Sequence, residues 1–92
     1  MITALVLLNV RRDAINSTAQ QLLTIPGAAE VYSVTGEYDL VVVLHLARYE
    51  DLADIVTERM VQIDSITRTQ TMMAFKAYSR EDLEQAWDIG VE

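Results

Sequence analysis

No cysteine occurs among the 92 residues. That excludes disulfides, zinc–thiolate sites and thiol nucleophiles. There is one histidine, His45, so a zinc site built on histidines is excluded as well. Basic residues are few. Seven Lys and Arg stand against 14 Asp and Glu, a formal net charge of -7, and the seven are scattered along the chain. Duplex binding rests on clustered cations that neutralise phosphates, so neither direct nucleic-acid binding nor docking to an anionic membrane is expected. Long apolar runs are missing too. The longest, residues 4–8 and 40–44, fall far short of the ~20 residues that span a bilayer. Arg11 and Arg12 follow the first apolar stretch instead of preceding it, which argues against a secretory signal and makes the cytoplasm the expected location. The three glycines, Gly27, Gly36 and Gly90, are isolated, so no phosphate loop is present. No serine lies in a nucleophile motif.

What is present is a high apolar content: 51% of residues are hydrophobic and 23% charged. That balance predicts a folded chain, and the length predicts one domain over residues 1–92. Residues 1–10 alternate as a strand, with Ile2, Ala4, Val6, Leu8 and Val10 on one side and Leu5 and Leu7 on the other. Asp13 is a candidate N-cap for a helix reaching Thr24 and facing inward through Ile15, Ala19, Leu22 and Leu23. Pro26-Gly27 ends it. A strand over residues 28–35 leads into Gly36, placed for the positive φ of a hairpin turn. Residues 40–46 are almost wholly apolar, as in a strand buried on both faces. A second helix over residues 49–61 turns Leu52, Ile55, Val56 and Met60 inward. A long strand over residues 65–78 follows. Ser79 and Asp82 have capping-box spacing and open a third helix carrying Leu83, Ala86 and Trp87.

The order βαββαβ predicts an α+β, ferredoxin-like sheet with strand order 4-1-3-2, both helices on one face, and a C-terminal helix. The most apolar strands, the first and third, take the centre. Leu5, Leu7, Val41 and Val43 then fall on the face without helices, and leaving them wet is costly at about 25 cal/mol per Å². A second copy of the sheet is the simplest cover, so the pattern predicts a face-to-face dimer of the dimeric α/β-barrel type.

The 35–39 turn is the best binding candidate. A glycine turn offers backbone N–H groups to a carboxylate, and Asp39 or Glu37 offers a partner to an ammonium group. The same turn reads equally as a plain hairpin whose Asp39 accepts local backbone bonds. Thr67, Thr69 and Thr71 alternate along the last strand and present a row of neutral hydroxyls; β-propensity alone also accounts for them. Glu50, Asp54 and Glu58 share one helix face, a solvated acidic stripe more than a cation cage. Met60, Met72 and Met73 read as gap-filling residues, and Trp87 as packing. No catalytic residue, metal ligand or cofactor site is assigned.

The segment from Pro26-Gly27 through Val31-Tyr32-Ser33-Val34 to Thr35-Gly36-Glu37-Tyr38-Asp39-Leu40 resembles the C-terminal effector domain of the Lrp/AsnC transcriptional regulators, the RAM module. So does Ile63-Asp64-Ser65-Ile66-Thr67-Arg68-Thr69-Gln70-Thr71, which is similar to that family's entry into the fourth strand. The chain starts at the domain's first strand and so resembles the stand-alone form without a helix-turn-helix. The resemblance implies a dimeric sheet sandwich, rings of dimers, and an amino acid or similar small zwitterion bound between dimers. It would be held by Gly36, Glu37, Tyr38 and Asp39 of one copy and by Thr69 and Thr71 of another. A full-length Lrp/AsnC regulator is a further implied partner. Two alternatives remain open. One is a small dimeric ferredoxin-like enzyme, a cofactor-independent monooxygenase or isomerase, with Asn9, His45 and Trp87 lining a cavity between helices and sheet. The other is an ACT-like amino-acid-binding domain with sheets paired edge to edge.

Overall fold

The computed structural model describes residues 1–80. The capping box beyond Arg80, the third helix and Trp87 lie outside the described residues. Four strands, β1 (Ile2–Val10), β2 (Ala28–Ser33), β3 (Leu40–Leu46) and β4 (Ile66–Met73), form one sheet in the order β2-β3-β1-β4. All three pairings are antiparallel. This is the ferredoxin-like α+β arrangement, with the two most apolar strands at the centre.

Helix α1 (Ile15–Leu23) is entered through a 3-10 turn, Arg12–Ala14. Asp13 makes no capping hydrogen bond; it pairs with Arg11 at 3.4 Å. Helix α2 (Tyr49–Asp54) continues through one π turn, Ile55–Arg59, and a 3-10 turn, Met60–Gln62. The helical stretch therefore runs about as far as expected, but not as uniform α-helix. Leu52, Ile55 and Met60 point into the core. On α1, Leu22 is buried while Leu23 is 51% exposed. The inward place goes instead to Thr18, whose hydroxyl meets that of Ser65 at 2.5 Å. This pair ties α1 to the segment that enters β4, and each hydroxyl satisfies the other inside the core.

Ala4, Val6, Leu8 and Val10 of β1 pack with Leu40, Val42, Leu44 and Leu46 of β3 beneath the helices. On the opposite face Leu5 pairs with Val43 and Leu7 with Val41. These four side chains are only half-buried in the single chain, as the two-sided pattern requires.

Two strands are shorter than their sequences suggest. β2 ends at Ser33; the Val34 N–H donates to the Asp39 carbonyl at 3.0 Å, one step beyond the Ser33–Leu40 pair, and closes the loop. β4 ends at Met73 instead of Tyr78. Its neighbour, β1, begins at Ile2, so beyond Ala74, which donates to the Thr3 carbonyl at 2.9 Å, only one residue of β1 is left to face residues 75–78. Phe75 and Tyr78 are left exposed. Met72 and Met73 sit on this edge strand at 42% and 40% exposure, so of the three methionines read as gap-filling only Met60 is buried in the single chain.

Gly27 (φ 94°) and Gly36 (φ 106°) both adopt the left-handed conformation that their turn positions imply.

Candidate functional site

The 34–39 loop folds against the end of β1. Asn9, a polar break in an apolar strand, donates its side-chain amide to the Glu37 carbonyl at 2.7 Å and to Asp39 Oδ2 at 3.3 Å. The same Oδ2 accepts the Val10 N–H at 3.0 Å, and Asp39 donates its own N–H to the Leu8 carbonyl at 2.9 Å. Asp39 therefore does structural duty, but toward Asn9 and Val10 of the distant β1 and not through the local backbone bonds of the plain-hairpin reading. An Asp39→Ala chain should lose about 1–3 kcal/mol, since a half-buried Val10 N–H loses its acceptor. Thermal unfolding will register this as a lower midpoint, whereas Asp39→Asn, which keeps an acceptor oxygen, should recover most of it. Equal losses in the two variants would show that the carboxylate charge matters more than the hydrogen bond.

Tyr38 is buried to 9% exposure. It reaches across β1 to β4 in the same chain: its hydroxyl donates to Gln70 Oε1, and the Arg68 guanidinium stands 5.0 Å from its ring centroid. An interaction of this kind is worth about 0.5–1 kcal/mol where exposed. The turn and the fourth strand are thus not isolated from each other within one subunit, as their places on opposite sides of the sheet suggest. Arg68 and Gln70 were hidden in the sequence between the threonines, and only the register brings them to Tyr38.

The threonines do not share that contact. Thr69 pairs with Leu8 and Thr71 with Val6, residues of the helix-covered face, while Gln70 pairs with Leu7 on the open face. Thr67 breaks the alternation. It occupies a bulge between Arg68 and Ile66, where the register shifts, and its hydroxyl donates to the Asn9 carbonyl at 3.2 Å. The six candidate residues therefore divide into two groups in one chain. Gly36, Glu37, Tyr38 and Asp39 gather at the loop; Thr69 and Thr71 lie on the other face of an edge strand.

Two depressions border the sheet. One, of about 510 Å³, is lined by Pro26, Gly27, His45, Asp51, Asp54, Glu58 and others. Its acids come from α2 and the turn that follows, yet among the described residues no group of three His, Cys, Asp or Glu converges to hold a metal ion. His45 is exposed, with Nδ1 3.2 Å from the Thr3 hydroxyl. Thr3 and Asn9 stand at opposite ends of β1, roughly 20 Å apart at ~3.4 Å per residue. Asn9 and His45 therefore do not line one cavity, and the arrangement sketched for an enzyme fails on these two residues; Trp87 lies outside the described region. The second depression, about 230 Å³, lies between the end of the α2 segment and β4.

On the loop edge, the Tyr32 hydroxyl donates to Glu30 on β2. This hydrogen bond, and the neighbouring carboxylate charge, raise the tyrosine above its usual range.

A model of the Lrp/AsnC ligand binding domain matches residues 3–83. The chain belongs to this family. Over 63 residues the Lrp/AsnC domain is 35% identical to an uncharacterized HTH-type transcriptional regulator of Pyrococcus furiosus, covering 68% of this chain and 42% of that protein. The chain thus spans under half the length of that curated relative. The solved protein TTHA0845 of Thermus thermophilus superposes with a TM-score of 0.81 at 42% identity, over 87% of this chain and 100% of that one. A transcriptional regulator of Neisseria meningitidis, solved as an L-Met complex, shares the fold at TM-score 0.77 and 16% identity, over 86% of this chain and 53% of its own. The Pyrococcus relative is named as a regulator, and with the family match it points to a regulatory, effector-binding role for the Lrp/AsnC domain. Among the described residues no helix is long and apolar enough to cross a membrane.

Proposed function

We propose that this Lrp/AsnC domain is a small-molecule effector-binding and oligomerisation module for transcription regulation, with no DNA binding of its own and no catalytic role. Two copies meet through their open sheet faces, and dimers associate further into a ring. An amino acid, or a similar small zwitterion, is held where the 36–39 turn of one copy meets β4 of another. Gly36, Glu37, Tyr38 and Asp39 on one side and Thr69 and Thr71 on the other are its contacts. A full-length Lrp/AsnC regulator that mixes into the same ring is a further partner, and the cytoplasm is where it would act.

The observation that supports a site between copies is the division of the candidate residues. The loop group and the two threonines lie on different faces of one sheet, so a ligand the size of an amino acid touches both only when a second copy supplies one of them. The net charge of -7 supports the absence of direct DNA binding.

A thermal-shift screen of the twenty amino acids tests this reading. A ligand that binds only the folded state at about 100 times its dissociation constant adds ~2.7 kcal/mol, which raises the melting temperature by roughly 10–20 °C in a domain of this size. No shift with any of the twenty would remove the amino acid from the proposal.

A further inference from the structure

The chain beyond β4 forms an arm. Residues 74–80 leave the end of the sheet with Phe75 and Tyr78 exposed. The arm also carries Lys76, the one lysine of the sequence, and Arg80. Neither is ion-paired among the described residues; the Lys76 ammonium stands 5.2 Å from the Tyr78 ring centroid instead. Two exposed aromatic rings and two cations on so short a segment call for an acidic surface with an apolar floor. The depression of about 510 Å³ is such a surface. Leu46 and Ile55, both nearly buried, lie at its base. Asp51 and Asp54 of α2 and Glu58 of the π turn stand around it with Arg59. Asp51 pairs with Arg48, whereas Asp54 and Glu58 have no ion pair among the described residues. The volume of about 510 Å³ equals roughly 17 molecules of liquid water at ~30 Å³ each, room for an aromatic ring with a lysine beside it.

We infer that the arm of one copy docks in this depression of a second copy, so that the two chains of the open-face dimer exchange arms. The inference rests on the reading of the domain as an oligomerisation module and names the orientation of its dimer. Arm and depression lie at the same end of the sheet: Met73 pairs with Ala4, while His45 and Leu46 pair with Thr3 and Ile2. His45, in line with Val41 and Val43 on the open face, also borders the depression. The docking surface therefore continues the dimer face. A two-fold axis parallel to the strands lays β4 of one copy over β2 of the other and keeps like ends together. Each arm then emerges beside the depression of the other copy, and both contacts form at once. An axis across the strands would set β4 against β4 with ends opposed and carry the arm away by a strand length, roughly 25 Å at ~3.4 Å per residue. In the exchanged dimer the rings of Phe75 and Tyr78 cover Leu46 and Ile55, and Lys76 and Arg80 meet Asp54 and Glu58. Each copy has a net charge of -7, so the pairs also offset repulsion between copies where they touch.

The chain has no cysteine, so one introduced pair reports the contact. Ala77 in the arm and Ala47 at the depression are both exposed, and a disulfide between them needs Cα atoms about 4.4–6.8 Å apart. The variants Ala77→Cys and Ala47→Cys are mixed, left to exchange subunits and oxidised. The mixture should give a linked pair at least tenfold faster than either variant alone. Adding Lys76→Glu and Arg80→Glu to the Ala77→Cys chain should slow the linking at least tenfold. Phe75→Ala and Tyr78→Ala should each raise the dimer dissociation constant about tenfold or more, because each acts at two equivalent contacts. The circular dichroism of the protomer should not change. If a chain with both Ala77→Cys and Ala47→Cys closes the bond within itself, at a rate independent of concentration, the arm belongs to its own copy. The exchange then falls while the open-face dimer stands. It falls in the same way if Ala77→Cys links to itself as fast as the mixture links, or if the parent is a dimer and the mixture links no faster than the single variants. A parent that is monomeric at micromolar concentration removes the dimer and the exchange together.

Discussion

A Leu7→Asp chain will elute and scatter light as a single protomer of 10.4 kDa, under conditions where the parent runs as a dimer or larger. Leu7 stands at the middle of the open face, opposite Val41 on β3 and Gln70 on β4. The substitution leaves the helix-covered core, Val6 and Leu8 included, untouched. An apolar side chain buried in an interface is worth about 1.5–3 kcal/mol, and a two-fold interface counts each position twice. The loss is then roughly 3–6 kcal/mol per dimer, a 10²–10⁴-fold rise in dissociation constant at ~1.4 kcal/mol per decade. Burial of two unpaired aspartates in the interface adds to this. Far-ultraviolet circular dichroism should retain the β signal of the protomer. A parent chain that is itself monomeric and stably folded at micromolar concentration would remove the open-face dimer altogether.

Gly27→Ala will lower the melting temperature by roughly 10–30 °C, far more than Gly36→Ala. Both glycines have positive φ, which costs a side-chain-bearing residue about 1–3 kcal/mol. They differ in what surrounds them. A Cβ on Gly27 would come within 2.6 Å of Leu46 Cδ2 and 3.1 Å of the His45 carbonyl oxygen, whereas at Gly36 nothing lies within 4 Å. Leu46 is 5% exposed and packed in the core, and the His45 N–H is bonded to the Gly27 carbonyl at 2.8 Å, so neither neighbour yields freely. Overpacking adds about 1–3 kcal/mol. The sum, about 2–6 kcal/mol, at about 5 °C per kcal/mol for a domain of this length, gives the range above. Similar melting temperatures for the two variants would mean that Leu46 relocates at little cost.

The strand order and the division of β1 and β3 into two apolar faces were legible because a strand's side chains alternate with period two, and that period survives any loop geometry. The lengths of β2 and β4 were not. Whether a strand continues depends on a partner's extent, and residues 74–78 keep a strand-like pattern after β1 has run out. Leu23 and Thr18 exchanged roles for a related reason. A hydroxyl buries well once a second hydroxyl, Ser65, stands opposite it, and that pairing joins residues 47 apart in sequence. The turn was legible as a conformation, since Gly36 needs its positive φ. The duty of Asp39 toward Val10 and the reach of Tyr38 to Gln70 depend on register between strands distant in sequence.

The central position of β1 also sets an order of events during synthesis. β1 is the first strand to leave the ribosome, yet its two neighbours, β3 and β4, come later in the chain. At 5–20 residues per second the interval from Ile2 to Met73 lasts roughly 4–14 s. Throughout it, a strand that is apolar on both faces has an incomplete sheet around it. Two of the three ladders of the finished sheet, β1–β3 and β1–β4, join distant parts of the chain, the hallmark of slow folding. Newly made protein therefore passes through a window in which encounter with another nascent copy, or with a holding chaperone, competes with its own completion.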